Sequence, residues 1–160
     1  MHVVFVCASN RFLSSVAARI FATLAIQQKL ALTADSAATL PTHTGKPAED
    51  VAVRVARARG VELADHVARK IGAEDFTSAD LIVALDRSDL RLLTMERPRG
   101  CRTEIRLFSS FRDSDGPADI AEPKGDDGER YAVAYEAVEG GVRNLFADLR
   151  TRLAAAKVDA

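Results

Sequence analysis

Residues 3–21 read VVFVCASNRFLSSVAARIF, and the change of pattern inside this stretch decides the fold. Residues 3–6 are apolar and either β-branched or aromatic, which predicts a buried strand. From residue 14 to residue 30, apolar side chains recur at helical spacing, which predicts a helix. Cys7 therefore stands where a strand gives way to the N-terminus of a helix, inside the small polar loop CASNRFLS.

The rest of the chain continues this alternation of patterns. Further strands are expected at residues 30–36, 79–86 and 104–108, and further helices at residues 48–59, 87–96 and 131–155. A long polar loop follows at residues 109–128, and such loops are usually functional or disordered. Because alternating strands and helices pair in parallel through right-handed crossovers, we expect one α/β domain over residues 1–160. It should be a three-layer sandwich with a central four-stranded parallel sheet and helices on both faces.

The charge balance, the cysteines and the hydropathy of the chain indicate which kinds of partner and which cell compartment to expect. The 160 residues include 22 Lys and Arg and 23 Asp and Glu, a balance that argues against a nucleic-acid partner. The two cysteines lack the spacing of a disulfide framework or a zinc site and fit a reducing compartment. No stretch is long and apolar enough to span a membrane, and the N-terminus lacks a signal peptide pattern. We therefore expect a cytoplasmic protein with no membrane partner.

The loop around Cys7 has the features of an anion site. Backbone N–H groups at a helix N-terminus lack helical partners, and the helix dipole favours negative charge there. The same field favours the thiolate of Cys7, a nucleophile toward bound phosphate. Asn10 tolerates the left-handed backbone that a cradle needs, and Ser14 is placed to cap the helix or to hydrogen-bond the sulfur. A second interpretation stays open, because cysteine is also among the residues most often buried in a core.

Five segments, in order and spanning about residues 2–149, resemble the low-molecular-weight protein tyrosine phosphatases. They are the opening stretch, DSAATL, GKPAEDVAVRVARARGVELADHVARKI, DFTSADLIVALDRSDL and DIAEPKGDDGERYAVAYEAVEGGVRNLFADL. In that family the phosphate loop reads Cys, five residues, Arg, Ser. The resemblance implies phosphomonoester hydrolysis without metal or cofactor. The cysteine attacks phosphorus to form a phosphocysteine, the arginine grips the phosphoryl oxygens, and an aspartate before a proline protonates the leaving oxygen.

Carried over residue by residue, the resemblance makes Cys7 the nucleophile. It makes Glu122, which precedes Pro123, the general acid, although glutamate is one methylene longer than the family's aspartate. Ser36 and His66, together with Asn10, would support the loop from outside through hydrogen bonds. The phosphate-binding residues would be Ala8, Ser9, Asn10, Arg11, Phe12, Leu13 and Ser14. No residue is assigned to a metal.

The loop departs from the family pattern at the position of its arginine, which is Leu13. Leucine has neither the charge nor the planar fork that matches a phosphate, so we expect weak phosphate binding and slow turnover. Arg11 lies two positions early and is expected to point to solvent; the alternative is that it folds over a bound anion. Lys124, which replaces an aromatic residue after the acid, is a second candidate cation. Ser9 replaces a loop glycine, and Phe12 replaces a second loop cysteine.

The sequence leaves two functions open. The first is a cysteine-dependent phosphomonoesterase that acts slowly on a phosphorylated protein or a small phosphate ester. The second is a catalytically inactive relative that uses the fold as an oxyanion-binding or protein-interaction module, since Phe12 and Leu13 make the pocket more apolar. A disulfide relay, as in arsenate reductases on this fold, is disfavoured because Cys101 is the one other cysteine. The oligomeric state stays open.

Overall fold

The computed structural model describes residues 1–112 and 119–158, with side chains to residue 155. In this part of the chain, four parallel strands form one sheet in the order β2-β1-β3-β4. The strands are β1 (His2–Cys7), β2 (Thr33–Ala38), β3 (Leu81–Ala84) and β4 (Glu104–Leu107). The α-helices are α1 (Leu13–Gln27), α2 (Asp50–Arg57), α3 (Asp75–Ser78), α4 (Arg87–Glu96) and α5 (Gly128–Val158). The predicted α/β fold with a four-stranded parallel sheet is confirmed.

The sheet separates two apolar layers, because successive side chains of a strand point to opposite faces. Val3, Phe5 and Cys7 of β1 are buried among residues of α1, α2 and α5. Val4 and Val6 are buried on the other face, among residues of α3 and α4. Helices therefore cover both faces, as predicted. Because β1 is a central strand, its carboxyl end places Cys7 in the middle of one edge of the sheet.

The second strand begins later than the sequence indicates. The N–H of Leu30 donates to the carbonyl of Ala25 at 3.0 Å and closes the end of α1, so residues 30–32 precede the strand. From its first to its last residue, β2 then pairs with β1. The later register ends β2 opposite Cys7 and leaves Ser36 buried near that end.

Other boundaries differ by a few residues. Helix α2 is shorter than the predicted 48–59, and α5 is longer than the predicted 131–155. The last residue of the predicted strand 104–108 and the first three of the predicted long loop form a 3-10 turn, Phe108–Phe111, whereas residues 113–118 lie outside the described residues. A 3-10 turn at Pro41–His43 and helix α3 were not predicted, because both are too short to show an apolar period.

Helix α5 packs along α1 and completes the larger apolar layer. The ring of Phe108 lies so close to Gly141 that an added Cβ would overlap it. This contact explains why glycine, which has a low helix propensity, occupies a position inside the helix. No helix in the described part of the chain is long and apolar enough to cross a membrane. The inward residues of α5 are those that the helical spacing predicts: Val138, Val142, Leu145 and Leu149.

Candidate active site

The loop between β1 and α1 wraps around the sulfur of Cys7. Asn10 takes a left-handed backbone conformation (φ 56°), and its N–H donates to the sulfur at 3.3 Å. The hydroxyl of Ser14 lies 3.1 Å from the same sulfur. Ser14 is the second residue of α1, and the cap position belongs to Phe12, which makes no side-chain capping bond. Of the two roles expected for Ser14, the structure therefore has the bond to sulfur.

The buried side chain of Asn10 joins the loop to its surroundings. Its amide nitrogen donates to the hydroxyls of Ser14 and Ser36, each at 2.9 Å. Its main-chain carbonyl accepts a hydrogen bond from Nε2 of His66 at 2.6 Å. Burial lowers the pKa of His66, so the imidazole is neutral at neutral pH and carries its proton on Nε2. The structure thus brings together the residues that the sequence assigned to loop support.

Arg69 completes this network in a way that the sequence did not indicate. Its main-chain N–H donates to Oδ1 of Asn10 at 3.0 Å. Its guanidinium donates two bonds to Asp75, at 2.9 and 2.8 Å, and one to Asp35 at 2.9 Å. Burial raises the pKa of Asp75, but the hydrogen bonds from Arg69 and Gly72 outweigh it and hold that pKa below its ordinary value. A main-chain donor leaves no signal in the residue pattern, so no motif could have found this bond.

The residues that follow β2 hold the loop from another side. The N–H groups of Thr39 and Leu40 donate to the carbonyls of Cys7 and Ala8, at 2.9 and 3.3 Å. The hydroxyl of Thr39 donates to the buried carboxyl of Asp89 in α4, at 2.7 Å. Burial, assisted by the neighbouring carboxylate that caps α4, raises the pKa of Asp89 to about 7. The loop is therefore anchored to α4 as well as to β2.

The protonation state of Cys7 is the reverse of the one predicted. The side chain is only 2% exposed. Burial, followed by the negative charge of Glu122, raises the pKa of the thiol to about 12, although hydrogen bonds from Ser14 and Asn10 lower it. The expectation of a thiolate is therefore wrong for this conformation, because burial and a facing carboxylate outweigh the helix N-terminus. Cys7 is a thiol at neutral pH.

Glu122 reaches the loop from the segment before α5. Its Oε1 accepts a hydrogen bond from the hydroxyl of Ser9 and lies 3.9 Å from the sulfur of Cys7. Burial raises the pKa of Glu122, the bond from Ser9 lowers it, and the nearby Glu49 raises it further. The sulfur of Cys7 thus lies between the Ser14 hydroxyl, at 3.1 Å, and the carboxyl of Glu122, at 3.9 Å.

Leu13 and Phe12 contribute to the core and not to an anion site. Leu13, the first residue of α1, is 2% exposed and belongs to the larger apolar layer. The ring of Phe12 packs on that of Tyr131, with ring centroids 4.9 Å apart. The position at which the family pattern has a guanidinium therefore supplies apolar packing in this chain.

Arg11 takes neither of the orientations that the sequence left open. Its Nε donates to the carbonyl of Pro47 at 2.8 Å, and its Nη1 lies 3.7 Å from Oε1 of Glu49. The side chain is 22% exposed, so the expectation of a solvated arginine is wrong. The hydroxyl of Tyr131 donates to the other oxygen of Glu49. Glu49 is the residue before α2, and its carboxylate holds the guanidinium at the start of that helix.

A cavity of about 830 Å³ lies beside the site, between residues 119–124 and the first turns of α5. Its walls include Glu122 and the exposed Lys124, but neither Cys7 nor the rest of the loop. The second candidate cation therefore lines this cavity. Within residues 1–112 and 119–158, no three His, Cys, Asp or Glu side chains are grouped so that they could hold a metal ion.

Comparisons with known proteins agree with this geometry. A family model described as low molecular weight phosphotyrosine protein phosphatase matches residues 2–155. Low molecular weight protein-tyrosine phosphatase A of Mycobacterium tuberculosis is 33% identical over 158 residues, covering 96% of this chain and 94% of that protein. The crystal structure of the low molecular weight protein tyrosine phosphatase from T. tengcongensis superposes with a TM-score of 0.82 at 30% identity, over 92% of this chain and 99% of that one. A protein tyrosine phosphatase from Entamoeba histolytica, at 23% identity and a TM-score of 0.87 over 94% and 97% of the two chains, shares the fold.

Proposed function

Because this chain belongs to the low-molecular-weight phosphotyrosine protein phosphatase family, we propose that it is a member that keeps the phosphate loop without efficient phosphoryl transfer. Membership in the family implies phosphorylated substrates. The observation that carries the proposal is the charge at the loop: Leu13 is apolar and buried, and the carboxylate of Glu122 faces the sulfur. The protein is in this sense a pseudoenzyme, and its two free cysteines fit the cytoplasm.

The first deficit concerns the nucleophile. Attack on phosphorus needs a thiolate, whereas burial and the charge of Glu122 raise the pKa of the Cys7 thiol to about 12, far above neutral pH. An arginine beside the sulfur would stabilise the thiolate, whereas Glu122 destabilises it. The same loop geometry therefore supports a buried thiol and not an activated nucleophile.

The second deficit concerns the phosphoryl group. An arginine that stabilises the charge of a transferred phosphoryl group elsewhere contributes about 10³ to 10⁵ in rate. In this chain Arg11 is bound to Pro47 and paired with Glu49, and Leu13 has no charge to offer. A phosphate dianion at the loop would meet Glu122 instead, with Glu49 close behind it. Both ground-state binding and turnover are reduced for this reason.

A second function, slow phosphomonoester hydrolysis, is favoured by one observation. The pKa of Glu122 is raised by burial, which suits a general acid, and its carboxyl lies 3.9 Å from the sulfur. In that case the sulfur of Cys7 bonds to phosphorus as the ester P–O bond breaks, and Glu122 gives a proton to the leaving oxygen. Water then hydrolyses the phosphocysteine, which releases phosphate and restores Cys7. The substrate would be a phosphorylated protein or a small phosphate ester.

The two functions are distinguished by hydrolysis of p-nitrophenyl phosphate between pH 5 and 8. We expect purified wild-type protein to be no faster than Cys7→Ser, because the thiol is protonated and the family's arginine position holds Leu13. A family member that retains the loop arginine serves as the positive control. Wild-type turnover at a rate near that of the control, abolished in Cys7→Ser, would overturn the proposal and establish the hydrolase.

A further inference from the structure

The segment before α5 crosses the mouth of the phosphate loop as a strap, defined here as residues 119–126. At one end, Asp119 accepts hydrogen bonds from the main-chain N–H and the Nε of Arg87, at 3.1 and 3.0 Å, at the start of α4. At the other end, Asp126 pairs with Arg54 of α2 at 2.8 Å. The strap is thus tied to two different helices, and Glu122 lies between the ties.

The middle of the strap is bonded to the loop itself. Oε1 of Glu122 accepts the hydroxyl hydrogen of Ser9 and lies within reach of the Cys7 thiol, at 3.9 Å. The oxygen of Ser9 also accepts the main-chain N–H of Arg11 at 3.2 Å. A second loop N–H, that of Asn10, is directed at the sulfur. Three donors that an anion could use are therefore occupied from within the chain: the Ser9 hydroxyl by Glu122, the Arg11 N–H by Ser9 and the Asn10 N–H by the sulfur of Cys7.

We propose that Glu122 is an internal ligand of the phosphate loop, and that the strap must lift before any external oxyanion can enter. The inference rests on the proposed function, since an efficient phosphatase would need this place for its substrate. A carboxylate and a phosphate both present negatively charged oxygens, which accept hydrogen bonds from hydroxyl and N–H donors. Glu122 therefore competes with oxyanions for the same donors.

The surroundings of the strap give it room to move and a reason to stay closed. The 830 Å³ cavity lies between residues 119–124 and the first turns of α5 and leaves space beside Glu122, whereas Ile120 of the strap stays buried in the larger apolar layer. The carboxylates of Glu49 and Asp86 lie near Glu122 and also repel an incoming anion. With these three carboxylates near the mouth, an oxyanion gains little until that of Glu122 has left.

The test is a titration of the full-length protein with inorganic phosphate, followed by ¹⁵N–¹H chemical shifts of the loop amides. The proteins compared are wild type, Glu122→Ala, Glu122→Gln and Glu129→Ala. We expect the phosphate Kd of Glu122→Ala to be at least about tenfold lower than that of wild type, because donors and space are both released. The phosphate Kd of Glu122→Gln should differ less from that of wild type, because the amide oxygen of glutamine still accepts the hydrogen bond from Ser9.

Glu129→Ala is the matched control, because it removes one exposed carboxylate from the wall of the same cavity without a bond to the loop. It should bind phosphate as wild type does. Equal Kd values for wild type and Glu122→Ala would overturn the inference, and so would an absence of binding in both, because Glu122 would not be what excludes the anion. Failure of the proposed function is separate: it requires Cys7-dependent hydrolysis by wild type, which this titration does not measure.

Discussion

The phosphate loop has a back, which faces β2 and His66, and a mouth, which faces Glu122. The polar groups at the back are joined by hydrogen bonds, whereas those at the mouth do not form a site for an anion. Behind the loop, Asn10 is buried and bonded to Ser14, Ser36 and Arg69 through its side chain and to His66 through its carbonyl. At the mouth, the family's arginine position is apolar and a carboxylate faces the thiol. The back of the loop keeps its polar network, whereas the mouth does not keep a catalytic charge.

The difference has a physical cause. A buried polar network is destabilised by the loss of any one partner, because the partners left behind are unsatisfied. An arginine at a binding site contributes to chemistry and can be replaced by a leucine that packs in the core without leaving an unpaired group. A chain can therefore lose the chemistry of the mouth and keep the shape of the loop.

The largest expected effect is a difference in reactivity between the two cysteines. In iodoacetamide at pH 8, Cys101 should alkylate at least about 10³-fold faster than Cys7, because alkylation follows the thiolate fraction. The pKa of Cys7 is raised to about 12, whereas hydrogen bonding with Thr103 lowers that of the partly exposed Cys101. Peptide mass spectrometry over time gives both rates in one sample. Comparable rates would show that the mouth activates its thiol after all.

A smaller effect is expected when the back of the loop is damaged. Asn10→Ala removes three side-chain hydrogen bonds and places alanine at a positive φ, so the free energy of unfolding should fall by about 3 kcal/mol. Urea denaturation measures the change. Asn144→Ala, on the exposed face of α5, is the matched control and should change it by less than about 0.5 kcal/mol. A loss as small as the control's would mean that the network does not hold the loop.

The smallest effect concerns the carboxyl that anchors Thr39. Burial raises the folded pKa of Asp89 to about 7, above the value of about 3.9 in an unfolded chain. Through Asp89 the native state therefore binds more protons between pH 4 and 7, and the contribution of this group to the free energy of unfolding falls as the pH rises through that window. Asp89→Asn should remove that contribution, so the variant should lose less free energy of unfolding than wild type between pH 4.5 and 7.5, as measured by urea denaturation. Asp65→Asn, which removes an exposed ion pair with Arg19, is the control and should lose as much free energy of unfolding between the two pH values as wild type. If Asp89→Asn also loses as much as wild type, the raised pKa of Asp89 is contradicted.

Much of the fold and of the loop's back could be predicted from the sequence. Alternating strand and helix patterns are local, and they gave the parallel sheet with Cys7 at the end of its central strand. The loop pattern indicates Asn10 and Ser14, the family resemblance adds Ser36 and His66, and the structure brings the four residues together. The start of β2 was placed too early, because the turn at residues 30–32 is set by a bond to the end of α1.

The mouth could not be predicted in the same way, because its properties come from residues far apart in the chain. Arg11 is held by Pro47 and Glu49, 36 and 38 positions later, and nothing in the loop indicates those partners. The general rule that a helix N-terminus activates a cysteine was outweighed here by burial and by Glu122, which lies 115 positions away. Local pattern gives the donors of a site, whereas its charge balance depends on tertiary contacts.

The central claim, that the loop keeps its shape but lacks the arginine charge at its mouth, is tested most directly by Leu13→Arg in the wild-type background. The account predicts that kcat/KM for p-nitrophenyl phosphate rises by at least about 10²-fold and that Cys7→Ser abolishes the gain. Leu13→Lys, which adds charge without the planar fork, should recover much less. A Leu13→Arg protein that keeps the wild-type pattern of loop-amide shifts and still hydrolyses no faster than wild type would contradict the account.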